Sequence, residues 1–197
     1  MKKPQNSTKS RQMGEVRIIS GLWRGRKLPV LNAEGLRPTT DRVKETVFNW
    51  LMNDVVNARC LDCFAGSGSL GLEALSRQAQ AVTFLEKFAK ASQQLKSNLT
   101  LLKTDKGTVI NTDTLQFLAQ KNNELPYDLI FIDPPFNKGF VPQVLDLLIK
   151  NNYIAPNGLI YVETEKNHTA LVLPKTWQIL KEKTFGQVTS RLIQVCD

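Results

Sequence analysis

Five short apolar runs recur along the middle of the chain, at residues 59–64, 81–86, 107–111, 127–132 and 158–163. Each is too short for a core helix and rich in Val, Ile, Leu, Cys or Phe, so each predicts a strand. Between them, residues 69–78, 88–101, 114–121 and 139–150 carry helix-like segments. Strand and helix in alternation predict a parallel sheet covered on both faces. The pattern breaks near the C-terminus, where 177–181 and 188–195 are both strand-like and meet through Phe185-Gly186-Gln187 with no helix between them. They form a terminal hairpin, and one of its strands must run against the rest. Upstream, 16–19 and 26–30 flank Ser20-Gly21-Leu22-Trp23-Arg24-Gly25, a second hairpin with a glycine-punctuated turn. Leu36-Arg37-Pro38-Thr39-Thr40-Asp41 then opens a helix whose Val43, Val47, Phe48 and Leu51 share one face. Residues 1–12 have no apolar periodicity and are expected to stay disordered until a partner is met.

A chain of 197 residues suits one full domain with a small appendage. The expected division is a basic tail at 1–12, a hairpin-and-helix extension at 13–54 and the sheet domain at 55–197. The formal charge of +8 is unevenly spread: residues 1–44 hold eleven Lys or Arg against Glu15, Glu34 and Asp41, while the rest of the chain is balanced. Solubility does not require that segregation, whereas a polyanion docking at one end would give it a purpose. Arg17, Trp23, Arg24, Arg26 and Lys27 are the candidate nucleic-acid-binding residues, with arginine and indole suited to phosphates and unpaired bases. Trp23 serves equally well to pack the hairpin onto the body.

Three cysteines, Cys60, Cys63 and Cys196, cannot build a disulfide framework, and the C-x-x-C pair lies inside a predicted strand with His168 as the chain's one histidine. Zinc and redox roles are therefore set aside, and no metal is expected. No apolar run approaches the roughly 18–20 residues of a membrane span, and the charged start has no apolar segment behind it. A cytoplasmic monomer is expected.

Chemistry enters with Leu61-Asp62-Cys63-Phe64-Ala65-Gly66-Ser67-Gly68-Ser69-Leu70-Gly71, a strand running into a glycine loop that opens a helix. The glycines alone suit a dinucleotide, whose pyrophosphate a helix N-terminus receives. Asp62 argues against that: a carboxylate at the strand end repels a pyrophosphate and attracts a cation. S-adenosylmethionine carries a sulfonium and an ammonium and no phosphate, so the motif favours it over NAD. Glu86, ending the second strand, is spaced to accept from both ribose hydroxyls, and Asp113, after the third, to accept from an adenine amine. Phe64 and Thr114 adjoin these acids, and Thr39 and Thr40 offer hydroxyls and a helix start to the carboxylate of an amino-acid moiety, although capping alone also explains the threonines. Asp62 and Glu86 are expected to lack partners within the fold, so that Glu86→Ala should weaken cofactor binding and spare the melting temperature.

The fourth strand ends in Asp133-Pro134-Pro135-Phe136. Two prolines fix the backbone and remove two N–H donors, leaving a loop rich in acceptors. The Asp133 carboxylate and the Pro134 carbonyl can accept from one NH₂ group while Phe136 stacks on the ring that bears it. A base amine is a poor nucleophile because its lone pair is delocalised; two acceptors on its hydrogens localise that pair and stabilise the developing positive charge. A rigid turn ending a buried strand is the plainer reading.

These residues resemble the class I S-adenosylmethionine-dependent amino-methyltransferases, with their [D/N]-P-P-[Y/F/W] loop. With Gly21-Leu22-Trp23-Arg24-Gly25-Arg26-Lys27-Leu28 and Arg37-Pro38-Thr39-Thr40-Asp41-Arg42-Val43-Lys44-Glu45, the chain from about residue 14 onward is similar to the RsmD family, which methylates a guanine N2 amine in small-subunit (16S) ribosomal RNA. The resemblance implies an α/β fold: a Rossmann-like seven-stranded class I methyltransferase sheet, five parallel strands plus a C-terminal hairpin with one antiparallel strand, carrying a small N-terminal β-hairpin and helix extension. It implies cofactor contacts from Asp62, Gly66, Gly68, Glu86 and Asp113, a base pocket from Asp133 to Phe136, RNA docking by the hairpin, and a substrate that is ribosomal RNA within a small subunit or its assembly intermediate. The proline loop itself cannot tell guanine from another amine, so a DNA adenine amino-methyltransferase is the alternative. An NAD-dependent oxidoreductase and a non-catalytic ribosome-assembly protein fit the sequence less well.

Overall fold

The computed structural model describes residues 14–31, 40–136, 138–166 and 171–196. The tail at 1–12, Thr39 and His168 lie outside the described residues. The chain begins with an antiparallel pair, β1 (Gly14–Arg17) and β2 (Lys27–Val30), joined through a 3-10 turn at Gly21–Trp23. Helix α1 (Asp41–Trp50) follows, and then β3 (Arg59–Asp62), α2 (Ser69–Ser76), β4 (Ala81–Glu86), α3 (Ala89–Leu102), β5 (Gly107–Asn111), α4 (Thr114–Leu118), β6 (Tyr127–Ile132), α5 (Phe140–Lys150), β7 (Ile154–Glu165), β8 (Trp177–Phe185) and β9 (Val188–Val195).

The large sheet has seven strands in the order β5-β4-β3-β6-β7-β9-β8. The first five run parallel, and β9 pairs antiparallel with both β7 and β8. This is the expected doubly wound sheet closed by a hairpin. Chain order reverses at β3, so loops leaving β3 and β6 diverge to opposite faces and open a crevice between them. The sequence reading misjudged several lengths. Helix α4 stops at Leu118 rather than 121, and β7 starts at Ile154, because its first residues pair with Tyr127 across a register shift that hydropathy does not reveal.

One face of the sheet is covered by α1, α2 and α3, and the other by α4 and α5. Successive strand residues alternate between the two: Cys60, Phe84, Phe131 and Tyr161 pack on the first, and Leu61, Leu85, Ile132 and Val162 on the second. Phe48 of α1 meets Phe131 with ring centroids 6.0 Å apart. Gly71 is needed inside α2 because a Cβ there would sit 2.2 Å from the Phe84 ring, so the third glycine of the motif lets helix and sheet close up.

The N-terminal hairpin shares this core through Val16, Ile18 and Leu28, and hydrogen bonds fix it to the body. Glu73 of α2, fully buried, accepts from the Ile19 N–H at 2.8 Å and the Ser20 N–H at 3.0 Å, and pairs with Arg77 at 2.9 Å. Ser76 Oγ accepts from the Trp23 N–H at 3.0 Å and donates to the Ser20 carbonyl. The buried Lys44 ammonium reaches the Arg17 carbonyl and, at 3.4 Å, Asp41. The hairpin therefore hangs on the C-terminal turn of α2, and the N-terminal turn of the same helix opens at the crevice.

Candidate active site

A cavity of about 430 Å³ occupies the crevice at the carboxyl ends of the strands. Most residues singled out from sequence line it: Thr40, Asp62, Phe64, Gly66, Glu86, Asp113, Thr114 and the whole run Asp133 to Phe136. Gly68 stands behind the wall as the residue before α2, with φ of 77°. That left-handed backbone favours glycine, and a Cβ there would in addition press on the end of the Leu95 side chain at 2.5 Å.

The acids form a row. β4, β3, β6 and β7 are consecutive in the sheet; Glu86 and Asp62 end their strands, Asp133 follows β6 directly, and Glu163 lies two residues before the end of β7. Asp62 is 2% exposed and accepts from the Gly71 N–H at 3.1 Å. Glu86 is 6% exposed; its two oxygens accept from the Gly66 N–H at 2.8 Å and the Phe88 N–H at 2.6 Å. The expectation that these acids lack partners is thus corrected: a buried carboxylate has to be hydrogen-bonded, and backbone amides of Gly66, Gly71 and Phe88 supply the bonds. Glu86 shapes that loop as well as facing the cavity, so its removal should disturb stability too.

Burial pushes Asp62 up to about 7 from an ordinary 3.8, and the nearby Glu86 adds to the rise, while N–H groups of Gly71 and Phe64 oppose it. The sign for stability follows from a raised folded-state value. Asp62's contribution is fully present below about 3.8 and is lost as pH rises through about 7. A cation set against Asp62 would favour its ionised form, so cation affinity should climb by up to about tenfold per pH unit below that point and level off above it. Calorimetry with S-adenosylmethionine across this range checks the expectation. Asp62→Asn should abolish the slope, and a slope surviving that change would exclude Asp62 as its source.

Asp113 caps α4, accepting from Leu115 N–H at 3.0 Å and Gln116 N–H at 3.3 Å, and its other oxygen meets Lys87 at 3.0 Å. The Lys87 hydrogen bond holds its carboxyl below the usual range. The proposed adenine contact therefore has to share a carboxylate already engaged in capping. Thr114, buried, donates to the Cys63 carbonyl and braces the glycine loop from beneath. Thr40 accepts weakly from Val43 N–H at 3.4 Å as the cap of α1 while its exposed side faces the cavity. Phe64 packs on Phe140 at 5.6 Å, tying the glycine loop to the start of α5 beyond the proline loop.

Several lining residues were not anticipated. Ser69, in the first turn of α2, has a buried Oγ with no partner among the described residues. Phe88, two residues after Glu86, is 66% exposed at the rim. Glu163, Phe185 and Val188 close the side under the terminal hairpin. Glu163 was legible, since the rule that strand ends deliver polar residues applies equally to the fifth strand. The approach of the hairpin was not.

The basic hairpin residues lie away from the cavity. Arg17, Arg24, Arg26 and Lys27 are exposed, and Lys27 pairs with Glu15 at 3.0 Å. Trp23 is half-buried against the core, so its indole anchors the hairpin and keeps only part of its ring in solvent. Cys60 and Cys63 are buried, and desolvation pushes both thiols upward, so neither is a thiolate at neutral pH. Among the described residues no helix is long and apolar enough to cross a membrane, and no group of three His, Cys, Asp or Glu is disposed to hold a metal.

The residues fit S-adenosylmethionine: an orphaned hydroxyl at a helix N-terminus, a buried carboxylate poised to ionise against a cation, and a second carboxylate at the neighbouring strand end. Comparison with known proteins identifies the chain's relatives. A family model described as Conserved hypothetical protein 95 matches residues 16–194. The ribosomal RNA small subunit methyltransferase D of Haemophilus influenzae is 58% identical over 183 residues, covering 92% of this chain and 94% of its own. The protein of the same name from Escherichia coli K12 is 50% identical over 194 residues, covering 98% and 95%. The solved structure of yhhF from Escherichia coli superposes with a TM-score of 0.86 at 50% identity, covering 93% of this chain and 99% of that one.

Proposed function

Given that the chain belongs to the family described as Conserved hypothetical protein 95, the ribosomal RNA small subunit methyltransferase D (RsmD) family, we propose that it transfers a methyl group from S-adenosylmethionine to the N2 amine of a specific guanine in small-subunit (16S) ribosomal RNA. One observation carries the reading: the acids suited to a cation and the acceptor loop suited to an amine line the same cavity. Asp62, Glu86, Ser69 and the first turn of α2 would hold the cofactor. When bound, S-adenosylmethionine supplies a methyl on a positively charged sulfur, which keeps the C–S electron pair as the N–C bond forms. Asp133 and the Pro134 carbonyl accept from the two amine hydrogens, localise the nitrogen lone pair and stabilise the charge that builds on it. Asp133 then takes the proton that the methylated amine must lose. Phe136 stacks on the base, and neither Cys60 nor Cys63 is required.

In this reading residues 13–54 dock RNA, residues 55–197 carry out transfer, and the protein acts as a cytoplasmic monomer on the small subunit or an assembly intermediate. The test is tritiated methyl transfer to total RNA and to ribosomal subunits from a strain lacking the protein, followed by nucleoside analysis. N2-methylguanosine in small-subunit RNA is expected; methylated adenine in duplex DNA would support the alternative instead.

RNA docking has its own test. Replacing Arg24, Arg26 and Lys27 by alanine should weaken RNA binding and flatten its salt dependence by roughly 0.7 per lost phosphate contact, or about 0.9 if the contacted RNA behaves as duplex. Cofactor affinity should hold. An unaltered salt slope would move the docking surface elsewhere.

A further inference from the structure

Glu163 belongs to the cavity but has no task in the transfer step. It is 6% exposed and lines the same side as Asp133, Phe185 and Val188. Strands β6 and β7 run in parallel register with Phe131 opposite Tyr161 and Ile132 opposite Val162. The next pair in that register is Asp133 with Glu163, across strands about 4.8 Å apart. Two carboxylates therefore stand side by side at the end of the cavity where the proline loop would grip an amine.

The second one is held in place. Tyr161 Oη lies 2.6 Å from Glu163 Oε1 and 3.0 Å from Ser190 Oγ, with the ring fully buried. Burial, then the nearby Glu163 charge, push the Tyr161 phenol well above its ordinary value. It keeps its proton and donates it to Glu163. Ser190 comes from β9, opposite Glu163 in the antiparallel pairing. The terminal hairpin thus fixes this carboxylate as well as walling the cavity.

Among exocyclic amines, only guanine's N2 adjoins a ring nitrogen that carries hydrogen. Its edge presents N1–H beside the N2 hydrogens, two donor nitrogens attached to the same ring carbon. The ring nitrogen beside the amine of adenine or cytosine bears a lone pair, which a carboxylate would repel. Resting on the methyltransferase reading above, we propose that Glu163 is the specificity-determining residue of the site, accepting from guanine N1–H while Asp133 holds the adjacent N2 amine. It attracts the right base and opposes the wrong ones through one charge.

The probe is 2-aminopurine, which keeps the exocyclic 2-amine but has a lone pair at N1. RNA carrying guanine or 2-aminopurine at the mapped target position is methylated by the full chain, and kcat/KM is compared. The wild type should prefer guanine by at least about a hundredfold, since a site built for a donor rejects the analogue lacking it. Glu163→Gln, whose amide can turn either an oxygen or an N–H toward the base, should reduce the preference to roughly tenfold or less. Equal losses on both substrates would mean that Glu163 only supports the fold, and would overturn the assignment. A wild type that uses both bases equally would overturn it with no variant required. Methylation of neither, or of adenine in place of guanine, would instead bring down the functional reading on which the assignment rests.

Discussion

Asp133→Ala should lower the single-turnover methylation rate by about two to four orders of magnitude while leaving S-adenosylmethionine affinity little changed. The magnitude is that of losing a preorganised group aimed at charge that develops only in the transition state. Asp133 follows β6 directly, and Pro134 and Pro135 hold the chain beyond it, so the carboxylate is aimed by the backbone. Asp62 and Glu86, which would hold the cofactor, sit on other strands, which is why binding and turnover should separate. Asp133→Asn keeps one acceptor oxygen and loses the charge. A mild defect there would assign the effect to hydrogen-bond geometry, and a severe one to electrostatics. Phe136→Ala should weaken capture of the base by about 1–3 kcal/mol, and Phe136→Tyr or Trp should keep much of the activity. Near-wild-type single turnover by Asp133→Ala would reduce the loop to a rigid strand terminator.

The second large effect concerns stability and lies at the other end of α2. Glu73→Ala removes a fully buried carboxylate that accepts from two backbone N–H groups and pairs with Arg77. Stranding those donors should cost about 3–5 kcal/mol. For a chain of this size that corresponds to a fall in melting temperature of roughly 6–20 °C. Because the lost bonds hold the hairpin to the body, amide exchange at Ile19 and Ser20 should accelerate most. Slow exchange at both amides together with an unchanged melting temperature would show that the hairpin is held without Glu73, by its apolar contacts and the bonds from Ser76 and Lys44.

What the sequence disclosed depended on whether a feature was local. Strands, a threonine cap for the first helix and the acids at successive strand ends follow from short-range rules, and the structure has five parallel strands closed by a hairpin, with Thr40 as that cap. Glu73 escaped notice because its partners are some fifty positions upstream and are backbone amides, which no side-chain pattern announces. Asp62 and Glu86 were expected to be partnerless for the same reason, whereas the glycine loop turns its amides onto both. Ser190 reads as an ordinary strand residue, and only the pairing of β7 with β9 brings it to the Tyr161 hydroxyl that holds Glu163.

Helix α2 also works as a ruler. Its first turn borders the cavity and its last turn bears the hairpin, and the rise of 1.5 Å per residue from Ser69 to Ser76 separates the two by about 10 Å. An RNA that touches both must therefore extend beyond the modified base by at least the length of this helix. A lone nucleoside can fill the cavity without ever reaching the basic hairpin. If the hairpin docks RNA as proposed, the chemistry is written at the base and the address apart from it, at a separation set by one short rigid helix.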